Sequence, residues 1–420
     1  MKRRRFLTAT SRVAIGAGAV LLQRTAHAQS AARDERVEER IAAWLEEYDG
    51  QGNHRTGTAG DNASAEWLVR EAAKFGVKAE IEPFPFNRVD PQSVYIAIGD
   101  RRIDGFALFD TAFTGAEGIS GTFGPLGSDA DIALAESEAY DLSQPGKEFS
   151  KEVAQARTSQ HKAVVILTKG VHPGLFLLNA NSMPKPSGPP MLQVSSANTE
   201  WLKEMAAKRP QIKFVSYVKR TPTQASNVTA KIAGSNPKLP PVVVMAPRSA
   251  WFQSVTEQGS RMALWLETMR AVAAAKPVRD CLFVSFSGHE VGAIGTTNYL
   301  STRPDLAKGA LVWVFFGSDI GSPGQPTQLH ASNDMLEKWA LASFKKQGLV
   351  PTKVLPQSGA ARGEAGLIQR QGGQFVTVAG DSDAYHNIND RWPEAADVGA
   401  LARWATAFAN GTLDLARTAS

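Results

Sequence analysis

The stretch DCLFVSFSGHEVGAIGT, from Asp280 to Thr296, decides the fold prediction. Its apolar, β-branched and aromatic run from Leu282 to Phe286 predicts a buried strand. The run ends at a Ser-Gly pair, and His289 and Glu290 follow where the strand would open into a loop. Because functional groups gather at the carboxyl ends of strands in open α/β sheets, this His-Glu pair is a candidate site. A solvated pair at an ordinary strand-to-helix junction is the alternative.

Strands and helices alternate along the chain on both sides of this stretch. Apolar runs predict strands at 241–246, 311–316 and 375–379, and helical spacing predicts helices at 254–275, 333–347 and 397–410. This alternation predicts an α/β fold with a doubly wound, mostly parallel sheet. With 420 residues, of which 43% are hydrophobic and 21% charged, the chain is large enough for two globular domains and lacks the composition of a disordered protein.

Residues 93–221 differ from the rest of the chain. They contain short strands, many turn residues and repeated Gly-Pro or Pro-Gly dipeptides. We interpret this region as an inserted domain of mixed β and α structure, which divides the main domain into residues 29–92 and 222–415. Short strands at 78–83 and 226–232 are expected to flank the insert.

The N-terminus predicts export from the cytoplasm. The basic residues Lys2 to Arg5 precede an apolar stretch from Val13 to Leu22, and Ala26-His27-Ala28 supplies small residues for cleavage. This pattern predicts a signal peptide of the twin-arginine type over residues 1–28, and hence a periplasmic or secreted protein. Six basic groups and no acidic group lie in that segment, so the formal charge of +5 falls to near neutral on cleavage. Nucleic acid is therefore not an expected partner. No other segment is long and apolar enough to predict an integral membrane helix.

Four segments of the main domain carry a resemblance to a known family. They are RTGTAGDNASAEWL (Arg55–Leu68), SNVTAKIAGS (Ser226–Ser235), FVSFSGHEVGAIGT (Phe283–Thr296) and YHNINDRW (Tyr385–Trp392). In order and spacing they resemble the co-catalytic zinc aminopeptidases of the bacterial leucyl aminopeptidase and plasma glutamate carboxypeptidase type, over residues 34–412. The insert resembles a protease-associated domain. The resemblance implies the aminopeptidase fold and hydrolysis of a peptide or another amide.

The metal ligands that the resemblance implies are incomplete in this chain. Pro247 and Ser249 stand where the family has a histidine ligand and an aspartate, and Ser318 stands where it has a further aspartate. The position of the bridging aspartate falls near Glu257. A two-metal site needs carboxylates that bridge and neutralise its ions, so too few ligands remain for two.

One zinc ion is therefore the expected cofactor. The resemblance implies Glu290 and His386 as ligands, and Asp319 joins them if its loop shifts by one residue. Three protein ligands and an open water position are typical of a catalytic zinc site. His289 takes the general-base position, where a pKa near neutrality suits proton transfer.

Three further residues are candidate substrate contacts. Arg248 and Arg261 flank the first altered metal segment, and guanidinium groups pair well with carboxylates and phosphates. Tyr385 directly precedes the implied ligand His386. Structural ion pairs are the alternative for the two arginines. For Arg362 and Glu364 solvated loop charges are the expectation, and substrate contact is the alternative.

Two other functions compete with a one-metal hydrolase. The altered ligand positions favour a catalytically inactive homologue that binds peptides or small anions in the former active-site cleft. An enzyme with a reorganised, metal-free site is the third alternative. The retained Glu290 and His386 and the intact glycine framework favour chemistry.

Overall fold

The computed structural model of the protein describes residues 36–138 and 151–418. The predicted signal peptide over residues 1–28 lies outside them. Within the described residues, no helix combines the length and the apolar character needed to cross a membrane.

Strands and helices alternate through most of the described chain. The strands are β1 (Ala79–Ile98), β2 (Arg101–Asp104), β3 (Phe106–Ala107), β4 (Ile119–Pro125), β5 (Ile132–Glu138), β6 (Ala163–Lys169), β7 (Met191–Ser195), β8 (Gln211–Ile232), β9 (Val242–Pro247), β10 (Cys281–Phe286), β11 (Val312–Phe316), β12 (Thr327–Ala331), β13 (Lys353–Val354) and β14 (Phe375–Gly380). The helices are α1 (residues 36–50), α2 (Ala59–Lys74), α3 (Lys151–Arg157), α4 (Thr199–Lys208), α5 (Ser260–Ala275), α6 (Ile294–Ser301), α7 (Leu306–Gly309), α8 (Asp334–Lys345), α9 (Gly363–Arg370) and α10 (Val398–Arg417).

Four parallel strands form the centre of the main sheet, in the order β14-β11-β9-β10. Antiparallel β12 adjoins β14, and antiparallel β8 adjoins β10. Every residue of β9 and β11 is buried, as is typical of parallel strands covered on both faces. The predicted α/β fold is confirmed, with antiparallel strands on both sides of its parallel centre.

Helices cover both faces of this centre. On one face α1, α2, α5, α8 and α10 pack around a core that includes Trp265 and Phe316. On the other face α6, α7 and α9 pack around Phe286 and Trp313. The loops that follow β10, β11 and β14 then meet at one side of the molecule, where they line a common cavity.

The region predicted as an insert, called the insert below, is joined to the main sheet by a long two-stranded ribbon. Strands β1 and β8 pair antiparallel from Ala79 opposite Ala230 to Ala97 opposite Lys213, with one irregularity between Pro91 and Ser93. The predicted strands at 78–83 and 226–232 are correct in place but too short. The prolines of β1 disfavour a strand when the sequence is considered alone. A proline is nevertheless tolerated where a strand has no second neighbour that needs a hydrogen bond from the N–H that proline lacks.

The predicted limits of the insert, at residues 93 and 221, fall inside the two strands of this ribbon. Beyond them β3 to β7 and α4 enclose a core of their own, with Phe123, Leu167 and Phe214 buried in it. The same core includes Trp251 and Val291 of the main domain. The insert therefore packs against the loops that follow β9 and β10.

The predicted helix at 254–275 is not regular throughout. A π-helical turn, Val255–Gly259, precedes α5. Asp390 shapes this turn, because its carboxylate accepts hydrogen bonds from the backbone N–H groups of Thr256 and Glu257, at 2.8 and 3.0 Å. Single π turns inside helices are frequent at functional sites, and this one carries Glu257 into the interior.

Candidate functional site

A cavity of about 520 Å³ lies beside the ends of β10, β11 and β14. Its volume is in the range of small-molecule binding sites. The insert contributes Phe176, Leu177 and Leu178 to one wall, and the first turn of α9 contributes Glu364. Of the predicted site residues, His289, His386, Arg261 and Tyr385 line this cavity.

His289 is held between two glutamates. Its Nδ1 lies 2.8 Å from Glu364 Oε1, and its Nε2 lies 3.9 Å from Glu257 Oε1. Burial alone would lower the pKa of His289, but the Glu364 carboxylate outweighs burial and raises that pKa above its ordinary value. Burial would raise the pKa of Glu364, yet His289 holds it below the usual value. The pair is therefore a histidine oriented and charged by a carboxylate.

His386 is fixed by the insert. Its Nδ1 lies 2.5 Å from the carbonyl oxygen of Leu177, and its own carbonyl accepts the Leu177 N–H at 3.1 Å. Its backbone is in the left-handed region, at φ 57°, a conformation that is uncommon for non-glycine residues. The ring of Tyr385 stacks on the imidazole with centroids 3.8 Å apart. These contacts aim Nε2 at Glu257 Oε1, 3.3 Å away.

Glu257 is the carboxylate that both histidines face. It is completely buried, and Gln258 Nε2 also donates to its Oε1 at 3.1 Å. Its Oε2 has no hydrogen-bond partner among the described residues. Burial would raise the pKa of Glu257, but His386, His289 and Arg261 lower it to about 2. Glu257 is thus ionised at all ordinary pH values.

Glu290 points away from the cavity. Its Oε1 accepts hydrogen bonds from the N–H and Oγ1 of Thr56, at 2.7 and 2.6 Å, and its Oε2 accepts one from Ser249 Oγ at 2.7 Å. Burial raises its pKa, and the bonds from Thr56 and Ser249 oppose that rise. Both oxygens of this implied zinc ligand are therefore occupied by structural hydrogen bonds.

Asp319 faces other carboxylates rather than His386. Burial, then Asp390 and Glu257, raise the pKa of Asp319 well above its usual value, so its protonated form is favoured. The pKa of Asp390 is itself raised by burial to about 7. In residues 36–138 and 151–418, no group of three or more His, Cys, Asp or Glu side chains is arranged to hold a metal ion. The residues expected to bind zinc do not fit the ion in this geometry.

The two candidate arginines differ completely. Arg248 is fully buried, with an ion pair to Asp61 at 3.1 Å and hydrogen bonds to Ser64 Oγ and the Ser226 carbonyl. It does not line the cavity. Arg261 does line it, at 3% exposure, with its guanidinium 5.6 Å from the centroid of the Phe315 ring. Its Nε and Nη1 have no hydrogen-bond partner within the described chain.

Two contributors to the site were not expected from the sequence. Glu364 is completely buried, not a solvated loop charge, and it lies in the first turn of α9. Ala365 and Ile368 have helical spacing and could have revealed that helix. The carbonyl of Leu177 gave no signal, because a backbone contact from a distant insert depends only on the tertiary fold.

Solved structures of aminopeptidases resemble this architecture over nearly its full length. A zinc aminopeptidase from Bacillus subtilis superposes with a TM-score of 0.72, over 92% of this chain and 95% of its own, at 16% identity. A peptidase precursor from Shewanella amazonensis gives 0.74 over 93% and 97%, also at 16% identity. The fold is that of the zinc aminopeptidases. An aminopeptidase from an Aneurinibacillus species agrees, with 0.68 over 91% and 95% at 15% identity.

The likeness to this aminopeptidase fold is one of architecture, and sequence comparison adds a short match. Rat transferrin receptor protein 2 (Rattus norvegicus) is 31% identical over 144 residues, which are 33% of this chain and 18% of the receptor. No protein-family model matches the chain.

Proposed function

We propose that this protein is exported and uses its aminopeptidase-like cleft to bind a peptide or another small ligand without zinc. One observation carries the proposal. The cavity is kept at the ends of the parallel strands, while the implied metal ligand Glu290 has turned inward to bond Thr56 and Ser249. Binding space is thus retained where the metal-binding groups are lost.

The charge of the cavity supports the same proposal. Arg261, Arg362 and Arg370 line it, and Glu364 is the one acidic residue among the described residues of its wall. A lining with more positive than negative groups disfavours a divalent cation and favours an anion or a polar ligand. One relative with sequence similarity is named as a receptor rather than as an enzyme, which is in keeping with a binding role.

The metal content of the folded mature protein tests the proposal. We expect well below one zinc ion per chain by elemental analysis after zinc loading and gel filtration. In the same preparation, a short peptide that binds at 100 times its Kd should stabilise the fold by about 2.7 kcal/mol in thermal unfolding. A tightly held zinc ion that disappears in a His386→Ala variant would contradict the metal-free proposal.

Hydrolysis of an amide or ester is a second candidate, favoured by the contact between His289 and Glu364. A histidine whose Nδ1 is held by a carboxylate is oriented to take a proton from water at its Nε2. In such a reaction the neutral form of His289 would accept at Nε2 a proton from the attacking water, whose oxygen forms the new bond to the carbonyl carbon. The same proton would then pass to the leaving nitrogen or oxygen as its bond to that carbon breaks.

Titration of His289 by NMR tests this arrangement. Because Glu364 is what raises the pKa of His289, Glu364→Gln should lower that pKa. The raised pKa of His289 also determines the direction in which its contribution to stability changes with pH. His289 stabilises the fold fully below pH 6.5, its ordinary pKa, and this contribution is lost as the pH rises through its folded value. Glu364→Gln should abolish that loss, whereas the surface change His172→Ala should not.

A further inference from the structure

We propose that the ligand of this cleft carries a carboxylate on an apolar body, and that Arg261 is the residue that pairs with the carboxylate. This inference rests on the proposed binding function and assigns a chemical class to its ligand. Among the described residues of the cavity wall, Arg261 carries the one guanidinium that is buried.

Arg261 is a cation that lacks hydrogen-bond partners for two of its nitrogens. It is the second residue of α5, directly after the π turn, it is almost completely buried, and its Nε and Nη1 find no acceptor in the described part of the chain. A buried charged donor without an acceptor costs several kcal/mol of solvation unless a ligand or water supplies one. An acceptor can reach these donors from the cavity that Arg261 lines.

The neighbouring carboxylates do not supply that acceptor. Glu364 Oε1 is bonded to His289, and Glu257 Oε1 faces His386. The second oxygen of each glutamate, Oε2, lacks any hydrogen-bond donor among the described residues, so neither bonds Arg261. The bonded oxygen of each glutamate thus meets a histidine, and Nε and Nη1 of Arg261 keep no acceptor among the described residues, although the charge of Arg261 acts on both glutamates.

The unbonded donors of this single guanidinium select the kind of ligand. A carboxylate brings a single negative charge and accepts charge-assisted hydrogen bonds in the plane of a guanidinium. A phosphate brings a charge of about −1.5 to −2 at neutral pH, which a single guanidinium leaves partly unbalanced. The buried part of the cavity therefore suits a monoanion.

The rest of the wall selects an apolar body. Phe176, Leu177 and Leu178 come from the insert, and Phe315, Leu355 and Leu367 come from the main domain. A cavity of about 520 Å³ with such walls is of a size to hold a small molecule or the last residues of a peptide. An amino acid with a free carboxylate, an acylated nitrogen and a large aliphatic side chain has both features.

Calorimetric titration of the mature parent protein with two matched ligands tests the inference. N-acetyl-leucine should bind at least about tenfold more tightly than N-acetyl-leucinamide, because a hydrogen bond to a buried charged group is worth that factor or more. Equal affinity for the acid and the amide would overturn the carboxylate inference and leave cleft binding intact. Tighter binding of inorganic phosphate than of the acid would also overturn it.

Variants then assign the preference to Arg261. Arg261→Met should remove the preference for the acid, whereas Arg270→Met, on the same helix and paired with Glu267, should keep it. If Arg261→Met does not fold, the comparison of acid with amide in the parent still decides the matter. Retained preference in a folded Arg261→Met variant would contradict the assignment.

A longer ligand shows whether the carboxylate is that of a peptide C-terminus or of a free acyl amino acid. A pentapeptide that ends in leucine should compete with N-acetyl-leucine if the cleft takes peptide C-termini, and should fail to compete if it takes only free acyl amino acids. Both results support the carboxylate inference. Binding of neither ligand, together with no stabilisation by any short peptide, would overturn the proposed binding function itself.

Discussion

Replacing Arg248 by methionine is expected to lower the free energy of unfolding by about 3–5 kcal/mol. The expected cost comes from the Asp61 carboxylate, whose charge remains buried in the variant. Arg248 and Asp61 are both completely buried and form an ion pair at 3.1 Å, so the variant leaves a carboxylate inside the protein with no cation. The variant also frees the acceptors on Ser64 and Ser226 that Arg248 now bonds.

Urea denaturation at several pH values measures this effect. Burial already raises the pKa of Asp61, and Arg248 opposes that rise. Without Arg248 the pKa rises further, so the cost should be largest at high pH and should shrink as Asp61 becomes protonated. The double variant Arg248→Met with Asp61→Asn should recover much of the loss. A loss below about 1 kcal/mol at neutral pH would mean that the buried pair is not structural.

Replacing Glu290 by alanine should cost about 3 kcal/mol of stability or more and should leave metal content unchanged. Its carboxylate accepts three hydrogen bonds, from the N–H and Oγ1 of Thr56 and from Ser249 Oγ. The alanine variant leaves these donors buried without an acceptor. Their loss would weaken the connection between the loop that precedes α2 and the loop that follows β10.

A matched control separates structure from metal binding at Glu290. Glu290→Gln keeps one carbonyl oxygen for Thr56, and because burial raises the pKa of Glu290, a neutral group is tolerated there. We expect the glutamine variant to lose only about 1 kcal/mol in chemical denaturation. A zinc ion present in the parent and absent from Glu290→Gln would show instead that Glu290 is a ligand.

The parallel core of the fold was predictable from the sequence because its strands are covered on both faces. The apolar runs that predict strands at 241–246 and 311–316 lie within one residue of β9 and β11. The ribbon was not predictable to its full length. Its prolines contradict strand propensity, and only the pairing of β1 with β8 across the insert makes them acceptable.

The site was predictable in its location but not in its contacts. The sequence placed His289 and His386 on loops at the strand ends, where both line the cavity. It could not show that Glu290 turns toward Thr56 while its neighbour His289 turns toward Glu364. Adjacent side chains at the end of a strand point in different directions, and the partner that each meets is set by distant loops.

The ribbon of β1 and β8 has a consequence for selection among ligands. Two paired strands, rather than a single-stranded linker, carry the insert and with it the wall formed by Phe176, Leu177 and Leu178. The wall is also fastened to the main domain by hydrogen bonds from Leu177 to His386 and from Ala180 to Glu290. A ligand therefore meets a wall that is tied to the main domain at two points, so its shape as well as its charge bears on how well it fits.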